Sequence, residues 1–458
     1  MSLISTTIRF VKSGDPVIYL SSSLLKSLNL SAKDTVKLYL GAAGTTVKIK
    51  RVNRKGMHLY VSSVVRKQLM IPRSAKCFVT KSGNQLRIGP LIGIMCTANT
   101  RSEGSPFGSK SLTMRRYLIA GAGKSYFFAF TPRDINWQQG TINAYFWSSA
   151  KGWLRRTVPL PDVVYNRITN RTVERAETTE ALKTRLSERG IPIFNYSFFD
   201  KWEVYHMLKD DKEANAYVPE SYINPSQDQI KTMLEKHKFV YLKPTSGYMG
   251  IGIYRLTYHP KRGYFLRYRK NGKNVLLRFP KFQSLVKQLN RQSGPRLRNY
   301  VVQQGIRLVE LDQCPLDFRF HLNKNKHNKW VVAGIGGKKA GRGSVTTHVR
   351  SGGQLLTPSH ALASIFGEKE GQRLLEKAKK ATILLAEAIE RNYKRPIGEL
   401  GFDIGIDKKG NIWMFEANSK PGRSIFKHPA LREQGRLSYN LIVEHCLYLS
   451  KFGSGGDD

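Results

Sequence analysis

The chain has 458 residues, enough for two or three domains with sizeable cores. Its 40% hydrophobic and 24% charged residues are those of a globular protein, with no apolar run long enough to span a bilayer. Lys and Arg number 76 against 33 Asp and Glu, a formal net charge of +43, and such a field draws in polyanions: nucleic acid, acidic protein, anionic polymer or anionic membrane surface.

The start, Met1-Ser2-Leu3-Ile4-Ser5, has no basic-then-apolar leader, so a cytoplasmic protein is expected. Cys77, Cys96, Cys314 and Cys446 lie far apart and point to neither a disulfide framework nor a zinc site.

Residues 1–90 read as a small β domain with an internal repeat. The run from Tyr19 to Leu30, YLSSSLLKSLNL, is echoed from Tyr60 to Ile71, YVSSVVRKQLMI. Each copy predicts a strand, a Ser-capped short helix and further strands, together a barrel with pseudo-twofold symmetry. Nothing in it looks catalytic; a docking or targeting role is the expectation beside a purely structural one.

Residues 91–195 alternate short apolar strands with helices. Leu91-Ile92-Gly93-Ile94-Met95, Tyr126-Phe127-Phe128-Ala129-Phe130 and Asp162-Val163-Val164-Tyr165 predict strands, and 180–189 predicts a helix closed by Gly190. A small α/β domain with a parallel sheet follows. Residues 196–450 hold the chemistry, with a long amphipathic helix over 371–391 that Pro396 ends; the tail, 451–458, is expected to be disordered.

Three elements in that last region carry chemistry. Val240-Tyr241-Leu242-Lys243-Pro244 is a strand ending in a lysine, followed by a loop with Gly247, Gly250 and Gly252. Glycines let backbone N–H groups approach phosphate, and the lysine adds a point charge. Tyr300-Val301-Val302-Gln303-Gln304-Gly305-Ile306 is a strand running into a linker that can present backbone groups to an adenine, with Glu310 placed to take ribose hydroxyls and Arg319 able to fork onto an anion. Asp403 stands on one strand of a hairpin, and Glu416 and Asn418 stand on the other at a spacing of two, hence on one face. Oxygen donors without His or Cys point to Mg²⁺ or Mn²⁺, completed by nucleotide phosphates.

Taken together the elements resemble the ATP-grasp superfamily, and in particular its spore-coat-associated YheC/YheD-type branch. That likeness runs through Pro161-Asp162-Val163-Val164-Tyr165-Asn166-Arg167-Ile168, Phe199-Asp200-Lys201-Trp202, Leu316-Asp317-Phe318-Arg319 and Glu416-Ala417-Asn418-Ser419-Lys420-Pro421-Gly422. Around Asp317-Phe318-Arg319 and Val349-Arg350-Ser351-Gly352-Gly353 the chain also resembles glutamate-adding ligases that modify ribosomal protein. The resemblance implies an α+β fold: two α+β lobes clasping ATP, behind an α/β pre-ATP-grasp domain and the duplicated β domain. It implies phosphate contacts from Lys201 and Lys243, a lid from Gly247 to Gly252, and an adenine hinge of Gln303, Gln304 and Ile306. Glu310 would take the ribose, and Mg²⁺ would sit on Asp403, Glu416 and Asn418. Arg319, Lys338 and Arg423 would face the γ-phosphate or the acceptor carboxylate. The hinge carries Gln303-Gln304 where many ATP-grasp sequences have an acidic residue, which leaves backbone groups to meet the base.

By resemblance the activity is a carboxylate–amine ligation through an acylphosphate. An acidic protein or polymer, in spore coat formation, would be extended by a small amine such as an amino acid. The same nucleotide site would serve a kinase acting on a hydroxyl. A degenerate coat component is a further alternative, which intact Lys243, Asp403, Glu416 and Asn418 argue against. Charge alone raises nucleic-acid binding, and no motif of that class is present.

Overall fold

The computed structural model describes residues 3–98, 104–245, 252–293, 297–341 and 353–452. The first seven strands are β1 (Ile4–Val11), β2 (Val17–Ser21), β3 (Thr35–Leu40), β4 (Ala43–Val52), β5 (His58–Ser62), β6 (Ala75–Ser82) and β7 (Gln85–Gly89). They close into a barrel in the order β1-β5-β2-β4-β3-β7-β6. The sequence repeat is its symmetry: β2 and β5 pair antiparallel with Tyr19 opposite Tyr60, while β2 lies parallel to β4 as β5 does to β1. Helices α1 (Ser22–Leu28) and α2 (Ser63–Gln68) follow β2 and β5. Both serines expected to cap them sit at the N-cap, but only Ser62 accepts a backbone N–H of its own helix, from Val65. The Ser21 hydroxyl instead donates to the Gly56 carbonyl at 2.7 Å, tying β2 to the loop before β5.

The second sheet contains β8 (Leu91–Met95), β9 (Tyr126–Phe130), β10 (Ile135–Asn136), β11 (Thr141–Ser148), β12 (Gly152–Pro159), β13 (Val163–Asn166) and β14 (Ile193–Phe194). Its order is β10-β11-β9-β8-β13-β14, with β12 on β11. Strands β9, β8, β13 and β14 are parallel, as their apolar runs predict. The β11–β12 hairpin is antiparallel and makes the sheet mixed. Helix α3 (Ser111–Ala120) connects β8 to β9, and α4 (Arg171–Arg175) and α5 (Glu177–Glu188) connect β13 to β14. Barrel and sheet share one apolar core: Leu86 and Ile88 of the barrel belong to the same cluster as Leu91, Tyr126 and Phe128. The buried Asp162 carboxylate seals the join, taking Arg87 Nη2 and the Leu91 amide at 2.7 Å each.

Two further α+β units follow α6 (Lys201–Leu208). The first lobe has an antiparallel sheet in the order β15-β20-β16-β17-β18-β19. Its strands are β15 (Ser221–Ile223), β16 (Phe239–Pro244), β17 (Tyr254–His259), β18 (Gly263–Lys270), β19 (Lys273–Phe279) and β20 (Tyr300–Gln304). Helices α7 (Gln227–His237) and α8 (Phe282–Ser293) pack on it through Ile230, Leu234, Leu285 and Leu289.

The second lobe comprises β21 (Glu310–Leu311), β22 (Cys314–Lys324), β23 (Trp330–Lys339), β24 (Gln354–Leu356), β25 (Glu399–Ile406) and β26 (Ile412–Asn418). Its sheet runs β24-β23-β22-β25-β26, with β21 beside β22. Helices α9 (Pro358–Phe366) and α10 (Glu368–Tyr393) cover one face, where Phe318, Phe320, Phe402 and Ile404 meet Leu385 and Ile389. Helix α11 (Arg432–Leu449) returns to the second sheet and buries Ile442, Val443 and Cys446 against Ile92, Ile94 and Tyr165. The folded chain runs on through Phe452, which is buried beneath the Arg87 guanidinium. Residues 453–458 lie outside the described residues.

Candidate functional site

The second lobe turns its other face toward the first. Along β22, Leu316, Phe318 and Phe320 enter the core, so Asp317, Arg319 and His321 point the other way. Along β25 the same alternation turns Glu399, Gly401 and Asp403 to that side. Register then sets Asp317 opposite Lys338, and Arg319 opposite Asp403, which faces Glu416 on β26. A polar stripe crosses four strands.

Simple alternation would have buried the two β26 residues. Ile412 and Met414 face the core, so Glu416 and Asn418 should follow them. A register shift at Asp403/Ile404 leaves Phe415 as an extra residue, after which Ala417 faces the core. The bulge re-aims Glu416 and Asn418 onto the stripe. The spacing of two predicted their common face, but only the bulge decides which face it is. The Phe415 ring then lies over Gly405, where any side chain would collide with it, and 5.5 Å from Lys243 Nζ.

Ion pairs knit the stripe. Lys338 Nζ lies 2.8 Å from Asp403 Oδ1 and 3.3 Å from Asp317 Oδ1, and Arg319 Nε lies 3.3 Å from Asp403 Oδ1. Burial opposes the Lys338 charge, but Asp317 and Asp403 outweigh it and hold its pKa above the ordinary lysine value. Lys201 is set by a capping box in which Asp200 accepts the Trp202 amide and Glu203 accepts the Asp200 amide. That places Lys201 in the first turn of α6, with Nζ 3.6 Å from Glu416 Oε1. The Lys201 amide also donates to the Thr245 carbonyl at 3.4 Å, bringing it beside the end of β16.

From the first lobe, Lys243 reaches into the same space. Burial pushes its ammonium down to about 8, against the pull of Glu416. Gln303 serves this lysine: its Oε1 accepts from Lys243 Nζ at 2.6 Å and its Nε2 donates to Ser221 Oγ at 3.3 Å. The Gln304 side chain accepts the Glu220 amide at 3.2 Å. Both side chains are engaged within the lobe. Glu310 stands at the rim on β21, with Lys408 Nζ 3.8 Å away.

The metal donors expected from the sequence are three oxygens on one face. The Asn418 amide lies 3.2 Å from Glu416 Oε1 and 3.2 Å from Arg319 Nη1. With its nitrogen toward the carboxylate it hydrogen-bonds to both neighbours. Oxygen donors without His or Cys suit a hard divalent ion that takes further ligands from phosphate and water. Among the described residues no three His, Cys, Asp or Glu side chains cluster as a self-sufficient metal site.

Arg423 is placed apart from this stripe. Its Nη1 pairs with Glu399 Oε1 at 2.8 Å, its Nη2 donates to the Gly435 carbonyl, and its guanidinium lies 3.9 Å from the Tyr439 ring centre. Gly247 and Gly250 lie outside the described residues, as do Val349 to Gly352 of the motif that ends at Gly353; Gly252 closes the glycine loop with a φ of 74°. Asp317 is the site residue that sequence reasoning left without a role, although its alternation with Arg319 in an apolar strand was the available signal.

Two lobes whose facing sheets share one set of lysines and carboxylates define the ATP-grasp class. The sequence matches the family described as "YheC/D like ATP-grasp" over residues 190–449, and the chain belongs to that family. It is 34% identical to "Endospore coat-associated protein YheD" of Bacillus subtilis (strain 168) over 388 residues, covering 84% of each chain. It is 26% identical to YheC of the same organism over 335 residues, covering 70% of this chain and 88% of the other. Among solved structures, D-alanyl-alanine synthetase A from Vibrio cholerae matches 77% of this chain and 98% of its own at 13% identity and a TM-score of 0.43. No described helix is long and apolar enough to cross a membrane.

Proposed function

We propose that the protein is an ATP-dependent carboxylate–amine ligase. The supporting observation is the stripe: Lys201, Lys243, Arg319 and Lys338 converge with Asp317, Asp403 and Glu416 between two lobes. Lys243 and Lys201 hold the phosphates of ATP, Gln303 keeps Lys243 in line, and the backbone around Ile306 meets the adenine. Asp403, Glu416 and Asn418 hold Mg²⁺, which when bound neutralises phosphate charge. Arg319 and Lys338 orient the acceptor carboxylate and the γ-phosphoryl group. The carboxylate oxygen attacks phosphorus, the β–γ bridging bond breaks and ADP leaves. An amine then attacks the acylphosphate carbonyl, phosphate leaves and the nitrogen loses a proton. Fixed cations facing the transferring group are what such a step requires.

The acceptor in this reading is an acidic protein or polymer of the spore coat, and the amine is an amino acid. Mass spectrometry of acidic acceptors incubated with Mg·ATP and an amino-acid mixture tests it. An added amino acid with stoichiometric ADP is the expected product. An added phosphate would assign the site to a kinase instead.

A further inference from the structure

Between Glu235 and Glu310 the chain carries 17 Lys and Arg and no Asp or Glu, where the overall balance of 76 to 33 would place several acids. Most of that segment is the sheet of the first lobe with α8. The fold sorts its charge by face. Val240, Leu242, Leu256, Leu266 and Val302 turn toward α7 and α8. By alternation Tyr241, Lys243, Arg255, Arg267 and Gln303 stand on the opposite face. Register joins that face into one row, Gln303, Tyr241, Arg255, Arg267 and Leu276, crossing β20, β16, β17, β18 and β19. The row begins beside Lys243, which Gln303 holds, and runs outward from the stripe. At about 4.8 Å between strands it is about 19 Å long.

Two observations mark this face as an anion surface. Arg255 and Arg267 stand directly opposite each other on antiparallel strands, and no strand of the sheet carries an acid that could separate them. Like charges so placed repel, and an anion lying across both removes the repulsion. The face is also open. Arg269 on β18 and Arg278 on β19 share it and are exposed, and Leu276 is 54% exposed.

We infer that this face docks the acceptor: an extended polypeptide segment rich in Asp and Glu lies across β17, β18 and β19 and brings its reactive carboxylate to the cleft beside Lys243. The inference rests on the ligase reading for the acceptor's role. Guanidinium forks take carboxylates two oxygens at a time. At about 3.4 Å per residue, about six extended residues cover the row, so the acids that dock are distinct from the acid that reacts. Single-stranded nucleic acid would need open rings on which to stack its bases. Here the Arg255 guanidinium covers the Phe239 ring at 4.5 Å, and no described aromatic residue of this face is exposed.

The test is fluorescence anisotropy of a labelled oligoglutamate of about ten residues, long enough to cover the row, titrated with the full chain. Two charge-matched triple variants are compared. One carries Arg267→Glu, Arg269→Glu and Arg278→Glu; the other carries Lys26→Glu, Lys48→Glu and Lys50→Glu on the exposed surface of the barrel. Arg267→Glu puts an acid opposite Arg255, so the first variant should keep its fold, read by near-ultraviolet circular dichroism. Oligoglutamate should bind the parent saturably, about tenfold or more weaker in the first variant and within about threefold of the parent in the second. The assignment is overturned if oligoglutamate does not bind, if the two variants weaken alike, or if a single-stranded oligonucleotide of equal charge binds the parent more tightly. Mg·ATP titrated into the parent reads the ligase proposal separately. ATP binding, with acidic acceptors extended by the first variant at the parent's KM, sinks the docking face alone. Oligoglutamate binding that the first variant loses, in a protein that binds no ATP, supports the face and sinks the ligase.

Discussion

Glu399 and Asp403 stand four residues apart on β25 and face the same side of the sheet, yet they sit in opposite surroundings. Asp403 is partly open, with a side chain 15% exposed, and shares Lys338 and Arg319 in a network of lysines and carboxylates. Glu399 is fully buried among Arg167, Arg423, His321 and Tyr165. Burial alone would raise its pKa, but Arg167, His321 and Arg423 hold it well below the carboxylate range. In the proposed ligase the open cluster would exchange its partners for phosphate and metal when a ligand arrives. The sealed cluster has little freedom to do so, and it joins β13, β22, β25 and the segment before α11 into one body. Exposure, more than composition, separates chemistry from architecture along a single strand.

The largest effect should come from the sealed side. Glu399→Gln leaves two buried guanidiniums without their shared carboxylate and should cost about 3–5 kcal/mol in denaturant unfolding. Because the folded Glu399 is the more acidic state, its stabilisation is present above the usual carboxylate range and is lost as pH falls below that range. Asp403→Asn should cost less stability yet abolish Mg²⁺-dependent nucleotide binding. If the two variants unfold alike, the contrast between the clusters is wrong.

On the open side, Lys243→Ala should weaken ATP binding by roughly 10- to 100-fold, the worth of a charge-assisted hydrogen bond of about 1.5–3 kcal/mol. Unchanged affinity in a folded variant would remove Lys243 from the phosphate site. A subtler signature follows from its pKa of about 8. Phosphate favours the charged ammonium, so ATP binding should take up a proton near pH 8 and weaken as pH rises beyond it. Calorimetry in buffers of different ionisation enthalpy measures this uptake; proton release would contradict it.

The smallest and most diffuse effect concerns the +43 charge. If it steers an acidic acceptor, kcat/KM for that acceptor should fall steeply with salt, since surface charges are screened beyond about 8–10 Å. Acceptor-independent ATP hydrolysis should fall much less. Tight duplex-DNA binding with a steep salt slope, and no ligase product, would give the charge to nucleic acid.

Much of this architecture was legible because it is periodic. The repeated Tyr19 and Tyr60 segments declare the barrel, and the apolar runs at Leu91 and Tyr126 declare parallel strands. The stripe was legible where polar residues interrupt such runs, as at Lys243, Asp403 and Glu416. The β11–β12 and β17–β19 hairpins, half-buried and rich in arginine, give weaker alternation and were not foreseen. Loop-borne Arg423 has no period to fix its direction; the resemblance turns it toward the γ-phosphate or the acceptor carboxylate, and only the fold shows its pairing with Glu399. Gln303 and Gln304 look like free hinge side chains until the pairing of β15, β16 and β20 shows what they hold.

The bulge at Phe415 acts as a frameshift within a strand. Ile412 to Asn418 contains one residue more than its partner segment requires, and everything after that residue changes face. Any comparison of relatives that places a gap a single position away would exchange Glu416 for Phe415 or Ala417 and misread which residues meet the ligand. The same arithmetic makes the stretch between Met414 and Glu416 intolerant of insertion or deletion, although most substitutions there would leave the phase intact.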